Sequence, residues 1–183
     1  MSPKKEKRIS KLLSLILRHR PETIGLQLDS NGWASVDQLL KKMNTAGTAI
    51  ERSQLEQVVT NNAKQRFVLS DCGQRIRANQ GHSVDIELDY EPIAPPEFLY
   101  HGAAERNLGK ILSSGLLKMG RHDVHLNANP EPCVHVAARH GKPVVLKIAA
   151  KKMHEAGFDF FLTPNNVWLT DHVPAEFIVQ ATE

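Results

Sequence analysis

Long apolar runs are missing from this sequence. No stretch approaches the roughly 20 residues that a membrane-spanning helix needs, so a helical membrane protein is excluded. Cysteine is scarce: Cys72 and Cys133 are the only two, and with no CxxC pair they do not build a disulfide framework. The charged start, Met1 to Arg8, passes directly into an amphipathic pattern without the apolar core of a signal peptide. A reduced, cytoplasmic setting is therefore expected. Also absent are a GxGxxG fingerprint, a Walker loop, internal repeats and low-complexity tracts, which argues against a Rossmann or P-loop nucleotide site.

What is present suffices for a core. Of 183 residues, 41% are hydrophobic and 23% charged, enough for one domain or two small lobes. The formal net charge of +3 conceals a division. Residues 1–83 carry 14 basic and 7 acidic side chains, whereas residues 84–183 carry 9 and 13. A basic front half suits a polyanionic partner, and an acidic back half implies a separate task there.

From Lys5 to His19, Ile9, Leu12, Leu13 and Ile16 follow helical spacing, and Pro21 ends the pattern. Leu26 and Leu28 read as a short strand before an Asp29-Ser30-Asn31-Gly32 turn. Ser35 with Gln38, and Ser53 with Glu56, resemble capping boxes opening two further helices. Phe67 and Leu69, a Ser70-Asp71-Cys72-Gly73 turn, then Ile76 and Ala78 predict a hairpin with one apolar face. Helix, short strand, two helices and hairpin is the order of a winged helix. Arg66, Arg75 and Arg77, with Lys64 before them, would sit on the polar face of the wing, suited to phosphate contacts. Residues 84–97 are acidic and hold Pro92, Pro95 and Pro96, which predicts a linker between a lobe at 1–83 and a lobe at 98–183. The second lobe alternates strands (Phe98 to His101, Val124 to Leu126, Val144 to Ile148, Phe158 to Leu162, Val167 to Leu169, Phe177 to Val179) with helices ending at Gly115 and Gly141. The expected class is α+β.

Several segments together resemble a known family. Leu17-Arg18-His19-Arg20-Pro21-Glu22, Ile24-Gly25-Leu26 and the stretch Asp29 to Trp33 resemble the N-terminal motif of the RNA 2′-phosphotransferases. Lys64-Gln65-Arg66-Phe67 is similar to their second motif and Ile76-Arg77-Ala78-Asn79-Gln80-Gly81-His82-Ser83 to their third. In the second lobe the matching blocks are Leu99-Tyr100-His101-Gly102, Gly115-Leu116 through Met119, Arg121-His122-Asp123-Val124-His125-Leu126, Ala138-Arg139-His140-Gly141 and Val167-Trp168-Leu169-Thr170.

The resemblance implies a winged-helix RNA lobe, an ADP-ribosyltransferase-like NAD lobe, and an active site in the cleft between them. It implies an enzyme that removes an internal 2′-phosphate from RNA, with tRNA a candidate substrate and NAD as co-substrate. The phosphate would displace nicotinamide to give a 2′-phospho-ADP-ribosylated RNA. The ribose O2″ would then attack phosphorus, freeing 2′-hydroxyl RNA and ADP-ribose 1″,2″-cyclic phosphate. By resemblance the catalytic quartet is Arg18, His19, Arg66 and Arg121. Arginine forks match phosphate oxygens bidentately and offset the charge of a phosphorane. His19 either contacts the phosphate or accepts the O2″ proton. His101, Gly102, Ala103 and His125 are the expected NAD contacts, and Lys64, Arg75, Arg77, Gly81 and His82 the expected RNA contacts. Ala103 stands where the family usually has Thr, Asn127 where it has Ser, and Asn166 where it has Gly.

Other readings compete. A zinc site could draw on His122, His125, Cys133 and His135, although the spacing matches no strong template and no bound metal is expected. A winged-helix nucleic-acid regulator with a ligand-sensing lobe would account for the charge division. A protein-modifying ADP-ribosyltransferase would want a Glu in the Val167-Trp168-Leu169-Thr170 block, where there is none. No membrane and no obligate protein partner is expected.

Overall fold

Ser2 starts the first helix, α1 (Pro3–Arg18): its Oγ accepts the Lys5 N–H at 3.3 Å, and Pro3 occupies the first turn, where its missing N–H costs nothing. The computed structural model describes residues 1–182. The chain divides into two units, Met1–Asp89 and Tyr90–Glu183.

In the first unit, α1 buries Ile9, Leu13, Ile16 and Leu17 completely. A 3-10 turn over Pro21–Ile24 follows, closed by Gly25 at φ +63°. That left-handed residue returns the Leu26 N–H to the Pro21 carbonyl at 2.9 Å. Leu26 is consequently a core residue in a tight reversal, not part of the predicted strand. The short strand β1 (Ala34–Ser35) leads into α2 (Val36–Thr45), where Ser35 Oγ accepts the Gln38 N–H as expected. Helix α3 (Arg52–Thr60) is capped by Glu51 with Gln54, two residues ahead of the predicted Ser53, because the Glu51 side chain also accepts from the first turn. Strands β2 (Phe67–Leu69) and β3 (Arg75–Ala78) form the hairpin, and β3 lies centrally in an antiparallel sheet ordered β1-β3-β2.

The hairpin departs from the expected one-sided pattern. Ile76, Arg77 and Ala78 are all buried, so both faces of β3 are covered. Arg77 is only 7% exposed; it pairs with Asp89 and lies 4.6 Å from the Trp33 ring centroid. Arg75 stays exposed, 3.4 Å from an Asp29 oxygen. The segment 84–89 supplies that cover. Ile86 is buried, the Glu87 N–H donates to the Ser30 carbonyl, and Asn31 Nδ2 donates to the Glu87 carbonyl. These residues, expected as linker, belong to the first unit. Asp89 is held below the usual carboxylate range by the Arg77 hydrogen bond.

In the second unit, β4 (Leu99–Ala104) runs through a 3-10 turn into α4 (Leu108–Ser114), β5 (Leu116–Leu117) and β6 (Val124–Leu126). Then come α5 (Glu131–Ala137), β7 (Pro143–Ile148), α6 (Ala150–Glu155), β8 (Phe161–Leu162), β9 (Trp168–Thr170), β10 (His172–Val173) and β11 (Ile178–Thr182). One antiparallel sheet is ordered β11-β7-β4, another β6-β9-β8, and β5 pairs with β10. Tyr100 and Asn127 exchange main-chain hydrogen bonds at 2.8 and 2.9 Å, tying β4 to the end of β6. Leu99, Leu126, Leu146, Ile148, Met153, Phe160 and Val173 form the fully buried centre. One strand expectation shortens and another shifts: β8 keeps only Phe161–Leu162, and β11 begins one residue late and runs on to Thr182. Residues 158–160 remain irregular, and Phe177 completes a 3-10 turn before β11 begins. Both units mix helices with small antiparallel sheets, and no helix among the described residues is long and apolar enough to cross a membrane.

Gly102 has a structural cause of its own. A Cβ at this position of β4 would run into the Cys133 main-chain carbonyl of α5. Replacing Gly102 with Ala is expected to force α5 off the sheet and cost about 1–3 kcal/mol, the usual range for overpacking. Urea unfolding would show a lowered midpoint with an unchanged slope; an unchanged midpoint would mean that α5 yields freely.

Candidate active site

In the first unit, Arg18 and His19 close α1. Arg18 is half-buried, and a cation there favours the helix's C-terminal dipole. The Arg18 carbonyl accepts the Ser83 N–H at 2.8 Å, while Ser83 Oγ lies 2.9 Å from His19 Nδ1. One serine therefore anchors the main chain of Arg18 and the ring of His19. Arg66 stands at the entry to β2, half-buried, with its Nη1 3.4 Å from Asn62 Oδ1. Asn62 is buried and also donates from Nδ2 to Ser10 Oγ at 3.1 Å, while its Oδ1 accepts the Lys64 N–H. Asn79 grips the other side: its N–H donates to the Arg66 carbonyl at 2.9 Å and its Nδ2 to the Gln65 carbonyl at 2.6 Å. Gln65 holds φ +41°, an unusual angle for a residue with a side chain, and these bonds overdetermine it.

The segment 79–83 thus fastens Arg66 at one end and Arg18 with His19 at the other. Ser83 and Asn79 fall inside the third motif, but as positioning residues. Asn62 carried no sequence signal beyond its nearness to Lys64. The expected RNA contacts separate. Lys64 and Arg75 are exposed, and Gly81 makes a turn at φ +82°. Arg77 and His82 are buried, His82 at 1% exposure, so neither presents itself on an open wing face.

In the second unit, Arg121 follows a turn at Met119 (φ +56°), and the Lys118–Asp171 ion pair at 2.6 Å holds that loop to the end of β9. Arg121 Nη1 lies 3.2 Å from His125 Nδ1. A guanidinium only donates, so this nitrogen of His125 accepts. The His125 carbonyl is 2.9 Å from His101 Nδ1, and a carbonyl only accepts, so His101 carries its proton on Nδ1. Burial lowers the His101 pKa, and the Arg121 charge adds to that. A neutral His101 keeps Nε2 as a lone-pair acceptor, suited to a ligand hydroxyl. Arg121, His125 and His101 are therefore joined in one chain of contacts.

Ala103 does not fit its expected role as an NAD contact, and Gly102 has a packing role beside the expected one. Gly102 is required by α5, and Ala103 points into the hydrophobic core at 7% exposure. Asn166 takes φ +59°, a left-handed angle that asparagine tolerates next best after glycine, so its exchange for Gly is conformationally matched. The residues of the zinc reading are dispersed in role. Cys133 is buried with its thiol pushed up to about 11, chiefly by desolvation, and His135 Nδ1 faces the Glu131 carbonyl. Among the described residues no three His, Cys, Asp or Glu side chains gather as a metal site.

Residues 4–172, spanning both units, match the family described as RNA 2′-phosphotransferase, Tpt1 / KptA. The chain belongs to the RNA 2′-phosphotransferase family. Within it, the chain is 48% identical over 174 residues to a probable RNA 2′-phosphotransferase of Acaryochloris marina, covering 95% of this chain and 96% of the relative. A Pseudomonas syringae pv. tomato relative bearing the same name is 46% identical over 184 residues, covering 100% of this chain and 98% of its own. One from Burkholderia lata, also so named, is 49% identical over 172 residues, covering 93% and 89%.

Asp123 lies between the two family residues Arg121 and His125, and burial raises its pKa, with His122 and Lys118 partly opposing. A carboxylate whose folded pKa exceeds its unfolded one costs stability as pH rises through that window. Asp123→Asn is therefore expected to raise the melting temperature at neutral pH. The gain should vanish below about pH 3.5, where the carboxyl is protonated in both states. Equal midpoints at neutral pH would overturn this.

Proposed function

We propose that the protein removes an internal RNA 2′-phosphate by transferring it to NAD. The first unit serves as a winged-helix RNA lobe and the second as an ADP-ribosyltransferase-like NAD lobe. The order α1, β1, α2, α3, then the β2–β3 hairpin supports the first assignment. The neutral His101, with an acceptor nitrogen for a ribose hydroxyl, supports the second.

The observation that carries the proposal is the fastening of Arg18, His19 and Arg66 by the single segment 79–83. A phosphomonoester bears about −1.5 to −2 charges near neutrality, so it is already a nucleophile and chiefly needs to be held. Arg18, Arg66 and Arg121 hold it. Its oxygen attacks the nicotinamide riboside carbon, the C–N bond breaks, and nicotinamide leaves. The ribose O2″ of the 2′-phospho-ADP-ribosylated RNA then attacks phosphorus, and the RNA 2′-oxygen leaves with a proton. The products are 2′-hydroxyl RNA and ADP-ribose 1″,2″-cyclic phosphate. The arginines neutralise the charge that gathers on phosphorus, and His19, its ring oriented by Ser83, lies at the O2″ proton or the phosphate.

Incubation with NAD and a 2′-phosphorylated RNA is expected to release nicotinamide and yield the cyclic phosphate by mass, with neither formed from NAD alone. Arg18→Ala and Arg121→Ala should each lose about 10²–10³ in rate, as for removal of an oxyanion donor. Their effects should be non-additive when combined, since both serve one phosphorus. Turnover that survives the double substitution, or RNA dephosphorylated without NAD consumption, would sink the proposal.

A further inference from the structure

The first unit carries a groove of about 650 Å³ that none of the quartet residues lines. One wall is the chain just after the 3-10 turn, with Gly25 and Gln27; the other is the outer face of α2, with Gln38, Lys41, Lys42 and Thr45. Among the described residues no carboxylate lines it. Arg52, Arg75, Arg77, Lys118 and Lys142 all have acidic partners, whereas among the described residues no ion pair engages Lys41 or Lys42. Lys42 Nζ reaches across the groove, 3.3 Å from where a Gly25 Cβ would stand. Gly25, at φ +63°, thus both shapes the turn and leaves space for that ammonium.

We infer that this groove binds the phosphodiester backbone of the RNA substrate away from the reacting 2′-phosphate. The inference rests on the function proposed above and extends it. Two ammonium groups and two carboxamides supply donors for anionic oxygens, with no acid to repel them. The volume equals roughly twenty waters at about 30 Å³ each, far more than one small anion fills and suited to a stretch of strand. Gly25 follows His19 by six residues, so at no more than about 3.5 Å per residue the groove lies within about 21 Å of it. A strand presenting its 2′-phosphate to His19 therefore has the groove within reach of its neighbouring nucleotides. The groove reads charge and not sequence, because phosphate contacts carry no base information.

The test compares the wild-type chain with Lys41→Gln/Lys42→Gln on two substrates. One is a long single-stranded RNA with one internal 2′-phosphate; the other is a dinucleotide carrying the same group. The double variant is expected to raise KM for the long RNA while leaving kcat, the KM for NAD and the dinucleotide kinetics unchanged. The slope of log KM against log salt on the long RNA should shrink by about 1.4, or about 0.7 for each phosphate that is no longer neutralised. Equal effects on both substrates, or none on the long RNA, would overturn the inference. So would loss of an inorganic-phosphate inhibition without any dependence on RNA length, which marks a free-anion site. If the double variant melts early, Gln38→Ala with Lys41→Gln gives the same comparison without removing both lysines. A wild-type chain inactive on either substrate would instead refute the proposed function, and direct RNA binding would still report on the groove.

Discussion

The placement of Arg18, His19 and Arg66 in the first unit depends on hydrogen bonds that one short irregular segment, residues 79–83, makes at its two ends. Asn79 holds the Arg66 carbonyl and Ser83 holds the Arg18 carbonyl, so two cations distant in sequence are fixed by one piece of chain. Guanidinium groups on long side chains lose much rotamer freedom when they bind, and a base fixed in advance lowers that cost. The buried Asn62 and Asn79 continue the scheme, since their amides satisfy main-chain groups that the irregular loop at 62–66 would otherwise leave open.

The second unit solves its placement problem through close approach. Helix α5 sits so near β4 that only glycine fits at position 102, and the Tyr100–Asn127 bridge fixes the next strand. His101 lies between these two constraints, which accounts for its half-buried, neutral ring and its bond to the His125 carbonyl. The orientation of Arg121 follows from the same group of residues, through His125 Nδ1.

Local signals mark most elements correctly. Helical spacing identifies α1, Ser35 the start of α2, and the Ser70–Gly73 turn the hairpin, because each rests on interactions within a few residues. Expectation and structure part where distant residues decide. The Leu26–Leu28 alternation mimics a strand, yet among the described residues no strand pairs with it. Acidic composition at 84–89 suggests a solvated linker, but Asp89 meets Arg77 and Ile86 enters the interior. Arg75 and Arg77 alternate as wing residues should, but the cover over β3 buries one and exposes the other.

By itself the sequence determined the candidate chemistry: which arginines and histidines occur, in what order, and on which helix or strand ends. Those properties follow from residue type and short-range periodicity. Tertiary structure alone decided that Arg77 and His82 are interior, that Gly102 and Ala103 serve packing, and that Asn62, Asn79 and Ser83 hold Arg66, Arg18 and His19 in place. Burial and hydrogen-bond partnership are set by groups tens of residues away, and no local pattern encodes which of them will meet.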